Sequence, residues 1–332
     1  MTEPLVVVTD IDLPSDGGAA DLLRAAGCRV EVAACTTAED VAAAAAGATA
    51  LIVQWANVDA AAFDALPDVR FVSRLGIGYD MIDVDAATAR GIAVANTPDY
   101  CVEEVATHTV AMALSLLRAL PGLEAGMRAG RWAPTADGRG AVRPSETTVA
   151  VVGFGRIGSS AAQALHAAGF RVLVSDPFVS EERITAGGLE PATLEQALTQ
   201  ADLVSLHTPL TAETRHLLDA ERLAAMKPGV RIVNTCRGGL IDEQALVDAL
   251  ESGQVGAAAL DVYEGEPLPA DSVLRSARNL MLTPHAAWFS PAALAELPRR
   301  AAENVVAFLA NHPVPSIVNP TYVARAAARQ PA

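Results

Sequence analysis

The chain is short of positive charge. Lysine and arginine together number 24 against 39 aspartates and glutamates, giving a formal charge of −15 and an isoelectric point near 4.8. Nucleic-acid phosphates need a basic footprint, so a nucleic-acid partner is not expected, and neither is an anionic membrane surface. An acidic protein that handles an anionic ligand needs a local cation, so an arginine at a site becomes worth seeking. Cysteine is scarce. Cys28, Cys35, Cys101 and Cys236 form no C-x-x-C pair and no zinc spacing. No metal site is expected, and free thiols in a reducing, intracellular compartment are. No apolar run is long enough to cross a bilayer. Met1-Thr2-Glu3-Pro4 leads into an apolar stretch with no basic segment or cleavage site. No signal peptide and a cytoplasmic location are therefore expected.

What is present is a regular alternation. At 332 residues and 51% hydrophobic composition, the chain can bury about two domain cores. Apolar strands are expected at Leu5–Thr9, Arg29–Ala33, Leu51–Val53, Val69–Arg74 and Ile92–Ala95. Helices are expected at Ala19–Ala26 and at the alanine-rich Ala38–Ala46, each stopped by glycine. Short continuous apolar strands between helices indicate parallel sheets covered on both faces. A helix over Val102–Leu117 follows the turn at Thr97-Pro98. A Pro/Gly-rich loop is expected over 131–145, and a second βα series runs from Thr147 to about His285. A last helix spans Ser290–Leu309, and the Pro- and Ala-rich segment 312–332 is expected to be loose at its end. The fold expected is α/β, two Rossmann-like or flavodoxin-like domains with parallel sheets and a cleft between them. One is a discontinuous substrate-binding domain of residues 1–99 plus 290–332, and the other is a nucleotide domain of residues 100–289.

The second series opens on a glycine motif, Gly153-Phe154-Gly155-Arg156-Ile157-Gly158, after the apolar run Thr148–Val152. A helical stretch from Ser159 to Ala168 and a strand, Arg171–Ser175, follow, ending at Asp176. Each part suits a dinucleotide. Gly153 permits the tight turn, Gly155 lets the backbone approach the pyrophosphate, and Gly158 lets the helix pack close to the sheet. The helix N-terminus presents N–H groups and a positive dipole end to the phosphates. Asp176 can accept hydrogen bonds from the adenosine ribose and would repel a 2′-phosphate, so the cofactor expected is NAD(H) rather than NADP(H).

Polar residues recur just beyond later strands: His207-Thr208-Pro209, Asn234-Thr235-Cys236-Arg237-Gly238-Gly239, Asp261 to Glu266-Pro267, and Thr283-Pro284-His285. Ketone reduction by NADH needs a proton donor at the forming alkoxide, a role that suits histidine. An anionic substrate also needs a cation, and arginine is a planar bidentate donor. A carboxylate bonded to the histidine would fix its tautomer and favour its protonated form. Arg237, Glu266 and His285 supply that set. Taken singly, each has a plainer explanation as a core, turn or surface residue. Together, beside a dinucleotide motif, they point to chemistry. Earlier in the chain, Arg74-Leu75-Gly76-Ile77-Gly78-Tyr79-Asp80 follows the fourth strand, and the backbone N–H groups of such a turn can bind a carboxylate.

These motifs, with Asn96-Thr97-Pro98, Val102–Ala106, Met226–Gly229, Ala259–Val262 and Thr283–Trp288, resemble the D-isomer-specific 2-hydroxyacid dehydrogenase family. The likeness is nearest to its C-terminal-binding-protein-like branch, which contains eukaryotic corepressors. It covers roughly residues 50 to 320. The resemblance implies that Arg237, Glu266 and His285 are catalytic. It implies NAD contacts from Arg156, Ile157, Asp176, Thr208, Thr235, Cys236, Asp261 (at the nicotinamide carboxamide) and Trp288. It further implies substrate carboxylate binding by Leu75, Gly76, Ile77 and Gly78 with Arg237, and a homodimer through the nucleotide domain. Thr107 stands where the family usually has an acid, and Cys236 where alanine or serine is commoner.

Three functions compete. The first is NADH-dependent reduction of a 2-keto acid to the D-2-hydroxy acid, and its reverse. The second is an NAD(H)-sensing, corepressor-like binding protein with weak turnover. The third is formate or phosphite oxidation, which needs further polar residues that the sequence does not single out. A phosphoglycerate dehydrogenase with a regulatory domain is not expected, because the chain stops soon after the last helix.

Overall fold

A computed structural model describes residues 3–323; the end of the segment expected to be loose lies, from residue 324, outside the described residues. The chain forms two compact units. One holds residues up to 101 and those from 289 onward, and the other holds residues 102–288.

The first unit is built on a sheet of five parallel strands: β1 (Leu5–Val8), β2 (Arg29–Val32), β3 (Ala50–Val53), β4 (Phe71–Arg74) and β5 (Ala93–Ala95). Their order is β2-β1-β3-β4-β5. The build-up of the sheet reverses between β1 and β3, where Val7 lies opposite Leu51. Four of these strands are buried along their length, as expected of a sheet covered on both faces. The edge strand β2 is largely exposed. Three of the covering helices are short and start at side-chain caps. Thr37 and Asp40 form a reciprocal capping box at Ala38–Ala44, and Asp59 and Asp83 cap Ala60–Ala65 and Val84–Ala89. The helix Pro291–Leu309 packs on this sheet. Phe308 stacks on Phe71 with ring centroids 4.4 Å apart, and Ser73 Oγ donates to the Ala301 carbonyl at 3.0 Å.

The second unit holds seven parallel strands in the order β12-β11-β10-β9-β6-β7-β8. They are β6 (Thr148–Val152), β7 (Arg171–Ser175), β8 (Glu190–Pro191), β9 (Leu203–Leu206), β10 (Val230–Asn234), β11 (Val255–Leu260) and β12 (Leu280–Leu282). The build-up reverses between β6 and β9. Alternate side chains of β6 feed different cores. Val149 and Val151 join Met112, Leu116 and Leu165 on one face, while Ala150 and Val152 join Leu198, Leu218 and Leu246 on the other.

Two expectations need correction. The helix expected from Ser159 begins at Arg156, because Gly155 itself is the N-cap and the glycine motif is already half helix. The segment 131–145 is not wholly loop. Pro134 and Pro144 each sit in the first turn of a short helix, Pro134–Asp137 and Pro144–Glu146, where the fixed φ of proline helps and its missing N–H costs nothing. Among the described residues no single helix is long and apolar enough to cross a membrane.

The edge of the first sheet is closed by residues 316–319, whose backbone pairs with β5 through the Val318 N–H to the Val94 carbonyl at 2.8 Å, and one side chain adds to that pairing. Asn319 accepts from the Val94 N–H at 2.8 Å and donates to the Ile92 carbonyl and to Thr88 Oγ1, both at 2.9 Å. Replacing this buried amide leaves backbone groups of β5 and its approach without partners. We expect Asn319→Ala to cost about 2–4 kcal/mol, read as a lower urea midpoint; an unchanged midpoint would show that the staple is dispensable.

Candidate active site

The glycine turn leaves β6 at the reversal point of the second sheet, where open parallel sheets bind ligands. Gly153 has φ +98°, and a Cβ there would lie 2.5 Å from the His207 carbonyl oxygen. At Gly158 a Cβ would lie 2.1 Å from the Gly153 oxygen. Neither position admits a side chain. Gly155 differs, because nothing lies within 4 Å of its Cβ position. That open space, at a helix start with no side-chain cap, is what a side chain would fill and a pyrophosphate needs. Arg156 and Ile157 form the first turn of the helix. Asp176, directly after β7, turns back to the motif. Its Oδ2 accepts from the Phe154 N–H at 2.7 Å and its Oδ1 from the Phe178 N–H at 2.9 Å. The acid thus sits beside the turn, and each oxygen keeps a second lone pair for a ribose hydroxyl. The residues fit a dinucleotide.

His207, after β9, packs under this turn. Its Nε2 is 2.8 Å from Ser205 Oγ, and its Cβ approaches the Gly158 position. Burial holds its imidazole down to about 4, so it is neutral. The next loop tightens around it. Cys236 Sγ donates to the Thr208 carbonyl at 3.0 Å, its N–H donates to Asn234 Oδ1 at 3.0 Å, and buried Thr235 pairs its hydroxyl with Thr109 at 2.7 Å. Thr208, Thr235 and Cys236 are therefore brought together. Thr107, by contrast, is exposed and bonds back to the Glu103 carbonyl of its own helix at 2.7 Å.

Arg237 is extended and half-buried, with its carbonyl held by Asn234 Nδ2 at 2.7 Å. The segment of Tyr263 and Glu264 crosses so close to Gly238 that a Cβ would lie 1.8 Å from the Tyr263 carbonyl carbon. That contact brings the loops after β10 and β11 together. Glu266 then reaches His285: Oε2 is 2.6 Å from Nδ1. Burial acts to raise the Glu266 carboxyl, but the His285 bond and charge, the Tyr263 N–H at 2.9 Å and the nearby Arg237 outweigh it and leave it below its ordinary value. Glu266 is ionised.

His285 has φ +50°, in the left-handed region that costs a non-glycine residue about 1–2 kcal/mol. Asp261 holds it there. The Asp261 carbonyl accepts from the His285 N–H at 2.8 Å. The carboxylate, with its side chain only 1% exposed, accepts from the N–H of Ala286 at 2.9 Å, of Ala287 at 2.8 Å, and from Thr283 Oγ1. Asp261, expected at the nicotinamide carboxamide, thus anchors the turn that carries the histidine. Trp288 is half-buried at the end of that turn. Tyr263 was not singled out by the sequence. Its hydroxyl, pushed up to about 12 chiefly by burial and so a permanent donor, bonds the Thr283 carbonyl at 2.7 Å while its N–H holds Glu266. Its place three residues before Glu266 was the available signal.

The remaining expected residues, Leu75, Gly76, Ile77 and Gly78, belong to the first unit. Gly76 has φ +140°, and its missing side chain leaves room for Arg74 NH1. Thr97 N–H bonds the Gly76 carbonyl at 3.0 Å and Asn96 Nδ2 the Ile77 carbonyl at 2.7 Å, so the Asn96-Thr97-Pro98 motif fixes this turn. All four cysteines are free.

A dinucleotide turn, an imidazole–carboxylate pair and an adjacent arginine on one parallel sheet define a nucleotide-dependent dehydrogenase type of unit. The sequence profile described as "D-isomer specific 2-hydroxyacid dehydrogenase, NAD binding domain" matches residues 110–287, and the chain belongs to that family. It is 40% identical over 257 residues to D-3-phosphoglycerate dehydrogenase of Bacillus subtilis, covering 77% of this chain and 48% of that one. It is 37% identical over 270 residues to glyoxylate reductase of Korarchaeum cryptofilum, covering 79% and 80%. Its fold matches the crystal structure of D-lactate dehydrogenase from Aquifex aeolicus complexed with NAD and lactic acid, with TM-score 0.83, 28% identity and coverage of 92% and 96%. The chain spans about half the length of the phosphoglycerate dehydrogenases it matches.

His207 makes stability depend on pH. Its folded value lies below the ordinary 6.5, so the unfolded chain binds a proton that the folded chain refuses. Stability is full above pH 6.5 and falls as pH drops toward 4, by about 2 kcal/mol once the partial exposure of the residue is allowed for. Urea midpoints between pH 7.5 and 4.5 should show that loss. His207→Gln should flatten it, and an equal fall in the variant would place the titration elsewhere.

Proposed function

We propose that the chain is an NAD(H)-dependent D-2-hydroxyacid dehydrogenase, interconverting a 2-keto acid and its D-2-hydroxy acid. The observation that carries this is the 2.6 Å contact between His285 Nδ1 and Glu266 Oε2. It commits Nδ1 to an ionised carboxylate, so the proton exchanged with substrate is carried on Nε2. An imidazolium on that side is the species that protonates an alkoxide as a ketone is reduced. Arg237 is the planar donor for the substrate carboxylate, and the N–H groups of the Leu75–Gly78 turn are the first unit's candidates for binding a carboxylate. NAD(H), when bound, supplies or accepts the hydride. Gly155 admits its pyrophosphate, Asp176 takes its ribose and disfavours a 2′-phosphate, and the shell of Thr208, Thr235, Cys236, Asp261 and Trp288 lies on the same sheet end. Free thiols suit a reducing compartment, and we place the chain in the cytoplasm.

A homodimer through the second unit goes with this reading. Leu120, Met127 and Trp132 are 49%, 57% and 85% exposed within one short segment, and such apolar side chains suit an interface. Trp132→Asp should shift the mass measured by light scattering from dimer to monomer; a wild-type monomer would remove this part of the reading.

His285→Ala is expected to lower turnover by about 10²–10⁴ with NADH affinity nearly unchanged, measured by NADH oxidation with a panel of 2-keto acids and by NADH titration. Near-normal turnover would remove His285 as proton donor. Tight NADH binding with feeble turnover of every keto acid by the wild type would favour the corepressor-like sensor instead. Asp176→Ala should weaken NADH binding and admit NADPH. Equal use of both cofactors by the unmodified chain would count against the ribose role.

A further inference from the structure

The first unit has its own reversal point, between β1 and β3, and the loops leaving those strands are bound to each other there. The Asp10 carboxylate accepts from the N–H groups of Gln54 at 3.1 Å and Trp55 at 2.5 Å. The Asp12 N–H donates to Gln54 Oε1 at 3.0 Å, and the Gln54 amide donates back to the Asp12 carboxylate. Trp55 Nε1 donates to Asp12 Oδ2 at 3.2 Å. The Arg74 guanidinium lies 5.3 Å from the centroid of the indole. Trp55 is therefore held by its backbone, its ring nitrogen and its ring face, yet it is 41% exposed. A large aromatic that is both fixed and exposed at a ligand-binding sheet edge has already lost its rotamer freedom, so contact with an apolar group costs little further entropy. It stands beside the Leu75–Gly78 turn, because Leu75 N–H bonds the Val53 carbonyl at 2.7 Å, two residues before Trp55.

The charge of this edge points the same way. The segments that follow the five strands, residues 9–12, 33–36, 54–58, 75–80 and 96–99, contain Asp10, Asp12, Asp80 and Asp99 and no lysine, arginine or histidine. Arg74, the last residue of β4, is 5% exposed and packed against Trp55. Phosphate recognition calls for reachable cations, and a carboxylate-rich edge repels a second anion.

We infer that Trp55 forms the side-chain wall of the substrate subsite on this unit. The substrate is then a 2-keto acid with an uncharged apolar side chain, aromatic or branched, and not a phosphorylated one. This rests on the dehydrogenase reading above. It separates this chain from its relatives named for 3-phosphoglycerate.

The test is kcat/KM for phenylpyruvate, 4-methyl-2-oxopentanoate, glyoxylate and 3-phosphohydroxypyruvate with the full chain and NADH. Phenylpyruvate or the branched acid should exceed the phosphorylated acid by at least about 100-fold. Trp55→Ala should lower kcat/KM for phenylpyruvate about 10- to 30-fold, the loss of one aromatic contact face. Glyoxylate, which has no side chain to meet the indole, should change less than about 3-fold. Trp55→Phe should recover most of the phenylpyruvate activity. Equal losses on glyoxylate and phenylpyruvate would overturn the inference alone, as would preference for the phosphorylated acid or for a keto acid with a guanidinium side chain. No turnover of any keto acid, glyoxylate included, would overturn the dehydrogenase reading and the inference with it.

Discussion

The carboxylate of Asp261 lies buried at the end of β11 and collects two backbone N–H groups and a hydroxyl from residues 283–287. A buried charge costs several kcal/mol unless such donors surround it, so the segment is drawn tightly over it. That tight turn needs a left-handed residue, and the residue placed there is His285. Its ring is thereby aimed at Glu266. Glu266 is in turn held by the Tyr263 N–H, and the Tyr263 hydroxyl returns to the Thr283 carbonyl at the root of the same turn. The imidazole–carboxylate pair is the end of this chain of constraints rather than an isolated contact.

The parallel sheets explain where these constraints are assembled. In each unit the inner strands are largely buried, and the chain leaves them at one end in loops whose polar groups must find partners. At the reversal point of the second sheet those partners are arranged around a glycine turn with an open side at Gly155. At the reversal point of the first, Asp10, Asp12, Gln54 and Trp55 bond to one another and leave the indole partly exposed. The same topology thus yields a polar, phosphate-ready edge in one unit and an acidic, aromatic edge in the other.

Much of this is legible in the residues, for reasons that differ from case to case. Gly153 and Gly158 can be read because a positive φ or a backbone approach under 3 Å leaves no alternative to glycine. The strands can be read because burial on both faces demands unbroken apolar runs. The start of the helix at Arg156 was missed because Gly155 serves as cap, which no side-chain signal marks. Asp261 was read as a ligand residue, and no sequence signal showed that its carboxylate also gathers backbone N–H groups some 25 residues away. Trp55 carried no sequence signal at all, since its meaning comes from Asp10 and Asp12, in the loop after β1, and from Arg74, at the end of β4.

The sequence by itself determined the class of fold, the dinucleotide turn and its acid, and the trio Arg237, Glu266 and His285, because each rests on local pattern: apolar period, glycine spacing, residue type after a strand. Only the tertiary structure decided that Glu266 meets the Nδ1 side of His285, that His285 is held in a left-handed turn, and that Trp55 is fixed while partly exposed. Those facts depend on the register between strands distant in the chain. Register is set by hydrogen bonding and packing across the whole sheet, and no stretch of neighbouring residues encodes it.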